Sequence, residues 1–198
     1  SLCAPAVQRI MDIDALWTVK NSGGLTLSLS CRLGEEFPDL PRFGLRLFLQ
    51  PSLHRITYYG LGPGESYRDK HRAGRHGLYT ASAAALHEDY LRPQENGSHF
   101  DCDFVIAGTN RYGLAATAGR PFSFNASPYT QEELTEKRHN YELVPCGSTV
   151  LCLDYAQNGM GSASCGPELL PQYRFHEKTF TFEIHLIPFI NYSSTRSD

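Results

Sequence analysis

The sequence contains no long apolar run, and no stretch approaches the roughly 18 apolar residues that a membrane-spanning helix needs. Residues 1–5 combine neither a charged nor an apolar segment, so no signal peptide is predicted there. Internal repeats and low-complexity tracts are also missing. These absences predict a protein that is not embedded in a membrane. One domain is expected over residues 1–198, because a single core serves chains of up to roughly 250 residues.

A strong charge of either sign is missing as well. Lysine and arginine total 18 against 21 aspartate and glutamate, which gives a net charge of −3. Neither nucleic acid nor a membrane is therefore predicted as a partner. Six basic residues do cluster, but no aromatic residues alternate with them to stack on bases, so a solvated loop is predicted. The cluster consists of Arg68, Lys70, His71, Arg72, Arg75 and His76.

Metal-binding cysteine pairs are absent. The six cysteines include no C-x-x-C pair, and no two histidines have useful ligand spacing, so no zinc site is predicted. A disulfide scaffold is not expected in a chain of this length, and free thiols favour a reducing compartment. The compartment stays unknown, with the cytoplasm favoured and the periplasm left open. The cysteines are Cys3, Cys31, Cys102, Cys146, Cys152 and Cys165.

The sequence does show a period of two, in which apolar and polar residues alternate. Leu25, Leu27 and Leu29 alternate with Thr26 and Ser28, which predicts a half-buried strand. Residues 16–19 precede it across a turn at 21–24, so the two segments form a predicted hairpin. Further strands are predicted at residues 43–49, 55–59, 101–106, 112–117, 122–126, 150–155 and 179–186.

Turns and helices complete the prediction. The glycine-rich residues 60–64 are expected to end the strand at 55–59. Residues 130–136 predict a short helix capped by Thr130, and residues 81–87 predict either a helix or a strand. The tail at 191–198 is polar and is expected to fray. Many short strands between Gly, Pro and Asn turns predict an all-β sandwich.

Three segments carry a resemblance to a known family, and three shorter ones agree with it. The main segments are residues 55–69, 90–97 and 157–167; the others are 40–44, 124–129 and His139 with 142–143. In this order and spacing they resemble the C-terminal (small-chain, domain 5) β-sandwich domain of glycoside hydrolase family 2 β-galactosidases. The resemblance covers residues 16–188.

The resemblance implies an antiparallel supersandwich similar to galactose mutarotase, with some N-terminal strands of the family's domain absent. An unpaired sheet edge is then expected. It also implies a parent enzyme that hydrolyses terminal β-D-galactosides with retention, in which this domain contacts the catalytic barrel. The chain itself is expected to hold no cofactor, although parent enzymes of this family commonly use Mg and Na in other domains. A homo-oligomer is left open.

The resemblance places both catalytic glutamates in the barrel, so this chain is predicted to have no catalytic residue and to be inactive alone. Retaining hydrolysis needs two carboxyl groups about 5 Å apart, and Glu65 and Glu95 are interpreted as structural or substrate-contacting acceptors instead. The predicted substrate-binding residues are Cys165, Glu95, Asn96, Glu65, Tyr67 and His139. For Tyr67 and for Asp69, simple packing or loop capping is an equal alternative.

Cys165 occupies a position where well-known relatives have a tryptophan that stacks on the second sugar. A cysteine offers no large stacking face, so the resemblance implies a weaker platform at the rim of the parent's active site. A small buried thiol is the equal alternative.

Two other functions compete with that of an accessory domain. An autonomous carbohydrate-binding module would need an exposed aromatic platform, for which the candidates are Tyr58, Tyr59, Tyr67, Tyr90 and Tyr129. A mutarotase-like epimerase would need a facing acid and base. The candidate histidines are His87, His139 and His185, paired with Glu88, Glu95 or Glu183.

Overall fold

The computed structural model describes residues 2–3, 9–159 and 168–191. Within them the chain forms ten β-strands and one short α-helix, α1 (Gln131–Glu136). The strands β1 to β10 are Leu2–Cys3, Arg9–Val19, Leu25–Leu33, Arg42–Leu49, Arg55–Gly62, Arg75–Ser82, Ser98–Gly108, Tyr112–Ser127, Thr149–Gln157 and Thr179–Ile190. No helix in this part of the chain is long and apolar enough to cross a membrane.

All the strands join one antiparallel sheet in the order β1-β2-β3-β10-β8-β7-β5-β6. The sheet branches at β8, which is 16 residues long. The first half of β8 pairs with β10, and its second half pairs with β9, which in turn pairs with β4. The predicted all-β, antiparallel architecture is confirmed. The likeness to galactose mutarotase and the missing strands stay predictions.

The alternating pattern buries one side of β3 and of β10, as predicted. Leu27, Leu29 and Cys31 on β3 and Phe182 and Ile184 on β10 belong to a single hydrophobic core. Each such large apolar side chain contributes about 1.5–3 kcal/mol by its burial. The hairpin of β2 and β3 is also confirmed: its strands pair from Met11 with Leu33 to Val19 with Leu25.

Three local predictions need correction. Residues 60–62 continue β5 instead of ending it, because Gly60 lets Cys102 of β7 pack so closely that a Cβ at Gly60 would lie 2.3 Å from the Cys102 Sγ atom. Residues 112–117 and 122–126 belong to one strand, β8. The basic cluster is a loop only in part, since Arg75 and His76 begin β6 and pair with β5.

The helix prediction at 130–136 is confirmed, and the Thr130 side chain caps α1 by accepting from the Glu133 N–H at 3.1 Å. Residues 81–87 combine the end of β6 with a 3₁₀ turn at Ala83–Leu86. The four cysteines with described side chains are free thiols, as predicted. They are Cys31, Cys102, Cys146 and Cys152.

The antiparallel register brings distant segments together at one end of the sheet. The end of β5 lies beside the start of β7, and Ser98 at the start of β7 pairs with Asn125 near the end of β8. The end of β9 pairs with the start of β4, where Gln157 opposes Arg42. The loop after β5, the loop before β7 and residues 157–159 at the end of β9 belong to the three main segments singled out in the sequence.

Candidate functional site

Glu65 lies at the centre of a hydrogen-bonded group that joins the first and second sequence segments. Its side chain is 5% exposed and accepts from the Lys70 Nζ atom at 2.5 Å, from the Tyr90 hydroxyl and from the Gly97 N–H at 2.8 Å. Burial acts to raise the pKa of the Glu65 carboxyl, but these hydrogen bonds outweigh it and lower the pKa below its usual range. This group, the Glu65 cluster, therefore holds an ionised carboxylate whose lone pairs are largely used.

Further backbone contacts fasten the same two segments to each other. The Ser66 N–H donates to the Ser98 carbonyl at 2.7 Å, and the Phe100 N–H donates to the Ser66 Oγ atom at 2.8 Å. Tyr67 is 1% exposed, and its hydroxyl accepts from the Ser98 N–H at 3.4 Å. Burial raises the pKa of the Tyr67 phenol. This position supports a packing role for Tyr67, and direct sugar contact by it stays a prediction.

The Asn96 side chain stabilises its own loop through two hydrogen bonds to the backbone. The side chain accepts from the Glu88 N–H at 3.0 Å and donates to the Gln94 carbonyl at 2.9 Å. The next residue, Gly97, has φ +69°, and a Cβ there would lie 2.3 Å from the Leu86 carbonyl oxygen. Only glycine adopts this backbone without strain, so the loop that presents Glu95 has a fixed shape.

A second group, the Arg42 cluster, consists of Arg42, Glu95 and Asp154. The guanidinium of Arg42 donates to both Asp154 carboxylate oxygens, at 2.8 and 2.7 Å, and to the Glu95 Oε2 atom at 3.1 Å. Asp154 is 2% exposed and lies on β9, so strands β4 and β9 position this pair. Such a bidentate pair fixes the guanidinium in one orientation.

Glu95 keeps one carboxylate oxygen unused. Its Oε1 atom is buried and has no hydrogen-bond partner in the described part of the chain, although the whole side chain is 34% exposed. Burial raises the pKa of the Glu95 carboxyl; Arg42 partly offsets this, and the Asp154 charge adds to it. Among the described residues, Glu95 therefore combines an orientation set by Arg42 with one carboxylate oxygen that accepts no hydrogen bond.

The third segment contacts the first through Gly159 and Asp69. Gly159 packs against Asp69 so closely that a Cβ on Gly159 would lie 1.7 Å from the Asp69 Oδ1 atom. The Asn158 N–H donates to the Pro41 carbonyl at 2.8 Å, and its side chain accepts from the Phe175 N–H at 2.6 Å. The predicted site residue Cys165 falls within residues 160–167, outside the described residues.

His139 lies on the surface beside this group. Its side chain is 53% exposed and stacks on the Tyr141 ring, with the ring centroids 5.1 Å apart. The neighbouring Asn140 side chain donates to the Tyr90 carbonyl at 2.6 Å, which attaches this turn to the second segment. The sequence therefore placed His139 near the other site residues, and its contact with a sugar stays a prediction.

The tyrosines and histidines proposed for the two competing functions lie in different environments. Among the tyrosines proposed for an aromatic platform, Tyr58 and Tyr67 are core residues, whereas Tyr59 is 38% exposed. His185 lies 3.0 Å from Thr26 and 3.4 Å from Glu183 on the face of the sheet. Within the described ranges, no three His, Cys, Asp or Glu side chains are arranged to hold a metal ion.

Sequence reasoning missed Arg42 and Asp154 as site residues. A signal for each was nevertheless present. Arg42 belongs to residues 40–44, one of the agreeing segments, and Asp154 interrupts the apolar middle of β9. A carboxylate in a fully buried strand needs a cationic partner, and that requirement could have identified the pair.

Comparison with known proteins gives consistent matches. The family described as beta galactosidase small chain matches residues 2–186. The chain is 45% identical over 179 residues to a beta-galactosidase of Actinobacillus pleuropneumoniae, covering 90% of this chain and 17% of that protein. It is 36% identical to the beta-galactosidases of Staphylococcus xylosus and Kluyveromyces lactis, over 181 and 168 residues. These alignments cover 91% and 82% of this chain but 18% and 16% of those proteins.

Proposed function

Because this chain belongs to the beta-galactosidase small chain family, we propose that it is the accessory domain of a longer, retaining β-galactosidase and lines the rim of its sugar site. The parent enzyme hydrolyses terminal β-D-galactosides. Its two catalytic glutamates lie in a barrel domain outside this chain, which is the domain's main partner. The chain spans less than a fifth of the length of its curated relatives, which supports a contributory role.

One observation carries the proposal: the first two segments that resemble the family and residues 157–159 of the third meet at one end of the sheet. Glu65 of the first segment accepts from Gly97 of the second, and Asp69 of the first packs against Gly159 of the third. Arg42 reaches Glu95 of the second. Residues far apart in the sequence are thus held rigidly in one place, as a ligand-contacting wall requires.

The proposal gives the site residues different tasks. Glu95, with its spare oxygen, accepts a hydrogen bond from a sugar hydroxyl, while Glu65, Asn96 and Tyr67 hold its loop in place. His139 orients the adjoining turn. The described residues form no group that could hold a metal ion, and any Mg or Na belongs to the parent's other domains. Neither nucleic acid nor a membrane is a partner, and homo-oligomer formation is left open.

Hydrolysis assays test the proposal. The 198-residue chain alone should cleave nitrophenyl β-galactoside no faster than buffer. In the parent enzyme, Glu95→Gln should lower kcat/KM by roughly tenfold or more, because a charged hydrogen bond to substrate contributes about 1.5–3 kcal/mol. The matched control, Glu136→Gln, changes an exposed carboxylate on α1 and should leave kcat/KM unchanged. Hydrolysis by the isolated chain, or full activity of Glu95→Gln, would contradict the proposal.

A second experiment addresses Cys165. The proposal places this residue at the rim, where it lacks the face of an aromatic ring. In the parent enzyme, Cys165→Trp should change the partitioning of the galactosyl group between water and an acceptor sugar. Product ratios measured with lactose provide the readout, and identical ratios in both enzymes would remove Cys165 from the site.

A further inference from the structure

Strand β2 is the last long strand on one side of the sheet, and its outer side is paired over only a short stretch. β1 covers that side at Arg9 and Met11, and no other strand in the described part of the chain pairs with it. The outer side of residues 13–19, here called the β2 edge, therefore presents main-chain groups without a strand partner. Such an edge is a template for pairing with a further strand.

The hydrogen bonds between β2 and β3 identify the residues whose backbone faces outward. The Lys20 N–H donates to the Gly24 carbonyl at 2.8 Å beside the turn. At the other end of the pair, the Gly34 N–H donates to the Ile10 carbonyl at 2.9 Å. The even-numbered residues of β2 thus bond to β3, and the residues between them point the other way, because antiparallel pairs alternate in this manner. The outward-facing residues are Ile13, Ala15, Trp17 and Val19.

The β2 edge also carries large apolar side chains that the fold leaves uncovered. Leu16 is 64% exposed, Trp17 is 50% exposed and Val19 is 71% exposed. Trp17 opposes the buried Leu27 of β3, so its ring extends the core face of the sheet outward. A strand added beside β2 would cover this apolar surface and bond to the outward main-chain groups in the same step.

The β2 edge is complementary to itself when two copies run antiparallel about Trp17. Ala15 then opposes Val19 of the second copy, and the two Trp17 side chains oppose each other. All of these residues face outward, so they meet as hydrogen-bonded pairs. The same register places the exposed Asp14 opposite the exposed Lys20 of the second copy, which gives a pair of opposite charges at each end. It also leaves the part of β2 that β1 covers free of the second copy.

We propose that this chain forms a symmetric dimer in which the β2 edges of two copies pair as antiparallel strands. Residues 14–20 of each copy make the contact, and the sheet of one copy continues into the other. Because both copies use the same surface, association closes at two copies. One pair of strands buries less area than a standard interface, so the dissociation constant should be roughly 10–100 µM. This inference goes beyond the proposed function, which leaves oligomer formation open.

Sedimentation and fluorescence test the dimer in the 198-residue chain. Trp17 is the one tryptophan of the sequence, and it lies at the centre of the proposed contact. Its emission should move to shorter wavelength as the protein concentration rises, because the ring loses contact with water. The midpoint of that change should equal the midpoint of the monomer–dimer transition measured by sedimentation equilibrium.

Hydrogen exchange adds a readout for individual residues. The amides of residues 15, 17 and 19 should become protected from exchange as the concentration rises, because they bond to the second copy. The amides of residues 14, 16 and 18 bond to β3 and should be protected in the monomer and in the dimer alike. Non-specific association through apolar side chains would not produce this alternation.

An exchange of charges tests the register. Lys20→Glu places a carboxylate opposite Asp14 of the second copy and should weaken dimerisation roughly tenfold, and Asp14→Lys should have a similar effect. The double variant restores opposite charges and should recover most of the wild-type affinity. The matched control Asp103→Lys changes an exposed aspartate on β7, which has a neighbouring strand on each side, and should leave dimerisation unchanged.

A proline substitution tests the main-chain pairing. Ala15→Pro removes an N–H that points away from β3, which is where an edge strand tolerates proline. Dimerisation should weaken at least tenfold, while the melting temperature of the dilute monomer stays close to that of the wild type.

Three results would overturn the proposal. A monomer at every concentration would leave the β2 edge to another segment of the parent enzyme. Growth beyond two copies would mean open-ended association, and a dimer unaffected by Ala15→Pro and Lys20→Glu would use another surface. These measurements follow self-association of this chain, whereas the rim proposal is tested by hydrolysis in the parent enzyme. The failure of one is therefore distinguishable from the failure of the other.

Discussion

The Glu65 cluster and the Arg42 cluster lie within the same group of loops, yet their glutamates differ in hydrogen bonding and have pKa values shifted in opposite directions. Among the described residues, Glu65 has three donors and a lowered pKa, whereas Glu95 has one donor, a buried oxygen without a partner and a raised pKa. A carboxylate that is fully hydrogen-bonded stabilises the fold. One that is half satisfied contributes less to stability. We propose that this difference separates a structural residue, Glu65, from a ligand-contacting residue, Glu95.

The largest expected effect concerns Asp154, the buried partner in the Arg42 cluster. Asp154→Ala leaves the Arg42 guanidinium with Glu95 alone, and breaking a buried pair from one side destabilises by about 3–5 kcal/mol. Urea unfolding at pH 7, followed by fluorescence, measures the change.

The exposed pair between Arg46 and Glu132 provides the control for Asp154. Their side chains are 39% and 61% exposed, so Glu132→Ala should reduce the free energy of unfolding by less than about 1 kcal/mol. If the two variants lost equal stability, the Arg42–Asp154 pair would not be the structural anchor of its cluster.

The next effect concerns Glu65. Glu65→Gln removes the negative charge of the carboxylate to which Lys70, Tyr90 and the Gly97 N–H donate. The free energy of unfolding at pH 7 should therefore fall by about 1.5–3 kcal/mol. Because the folded-state pKa is lowered, the wild-type stabilisation is present above the ordinary pKa and is lost as the pH falls through the folded pKa. The stability gap between wild type and Glu65→Gln should therefore narrow on acidification. A gap that stays constant from pH 7 to pH 3 would contradict this assignment.

The strands show which features of the fold the sequence could predict and which it could not. Alternation along β3 and β10 and the hairpin of β2 and β3 followed from period two alone, since one buried face determines that pattern. The merging of two predicted strands into β8 did not, because Gly119 and Pro121 are typical of a turn and only the neighbouring strands keep the backbone extended.

The site was predictable at the level of segments but not of contacts. The loops containing Glu65 and Glu95 were identified because their order and spacing matched a family. Whether both oxygens of a glutamate carboxylate accept hydrogen bonds depends on long-range partners such as Arg42, which lies 53 positions from Glu95 in the sequence. No local pattern encodes such a pairing.

The smallest expected effect on stability completes the comparison. Glu95→Gln should change the free energy of unfolding at pH 7 by less than about 1 kcal/mol, because Arg42 keeps both bonds to Asp154 and the amide oxygen still accepts from Arg42. The raised folded-state pKa means that any stabilisation by the Glu95 carboxyl is present at low pH and is lost as the pH rises through that pKa. Removing its charge should thus leave stability almost unchanged under acid, where the wild-type carboxyl is protonated, and slightly raise stability at neutral pH. Unfolding curves of Glu65→Gln and Glu95→Gln, measured side by side across this range, should consequently slope in opposite directions relative to wild type. Parallel curves would mean that the two glutamates share one structural role, and the reason for assigning ligand contact to Glu95 would be gone.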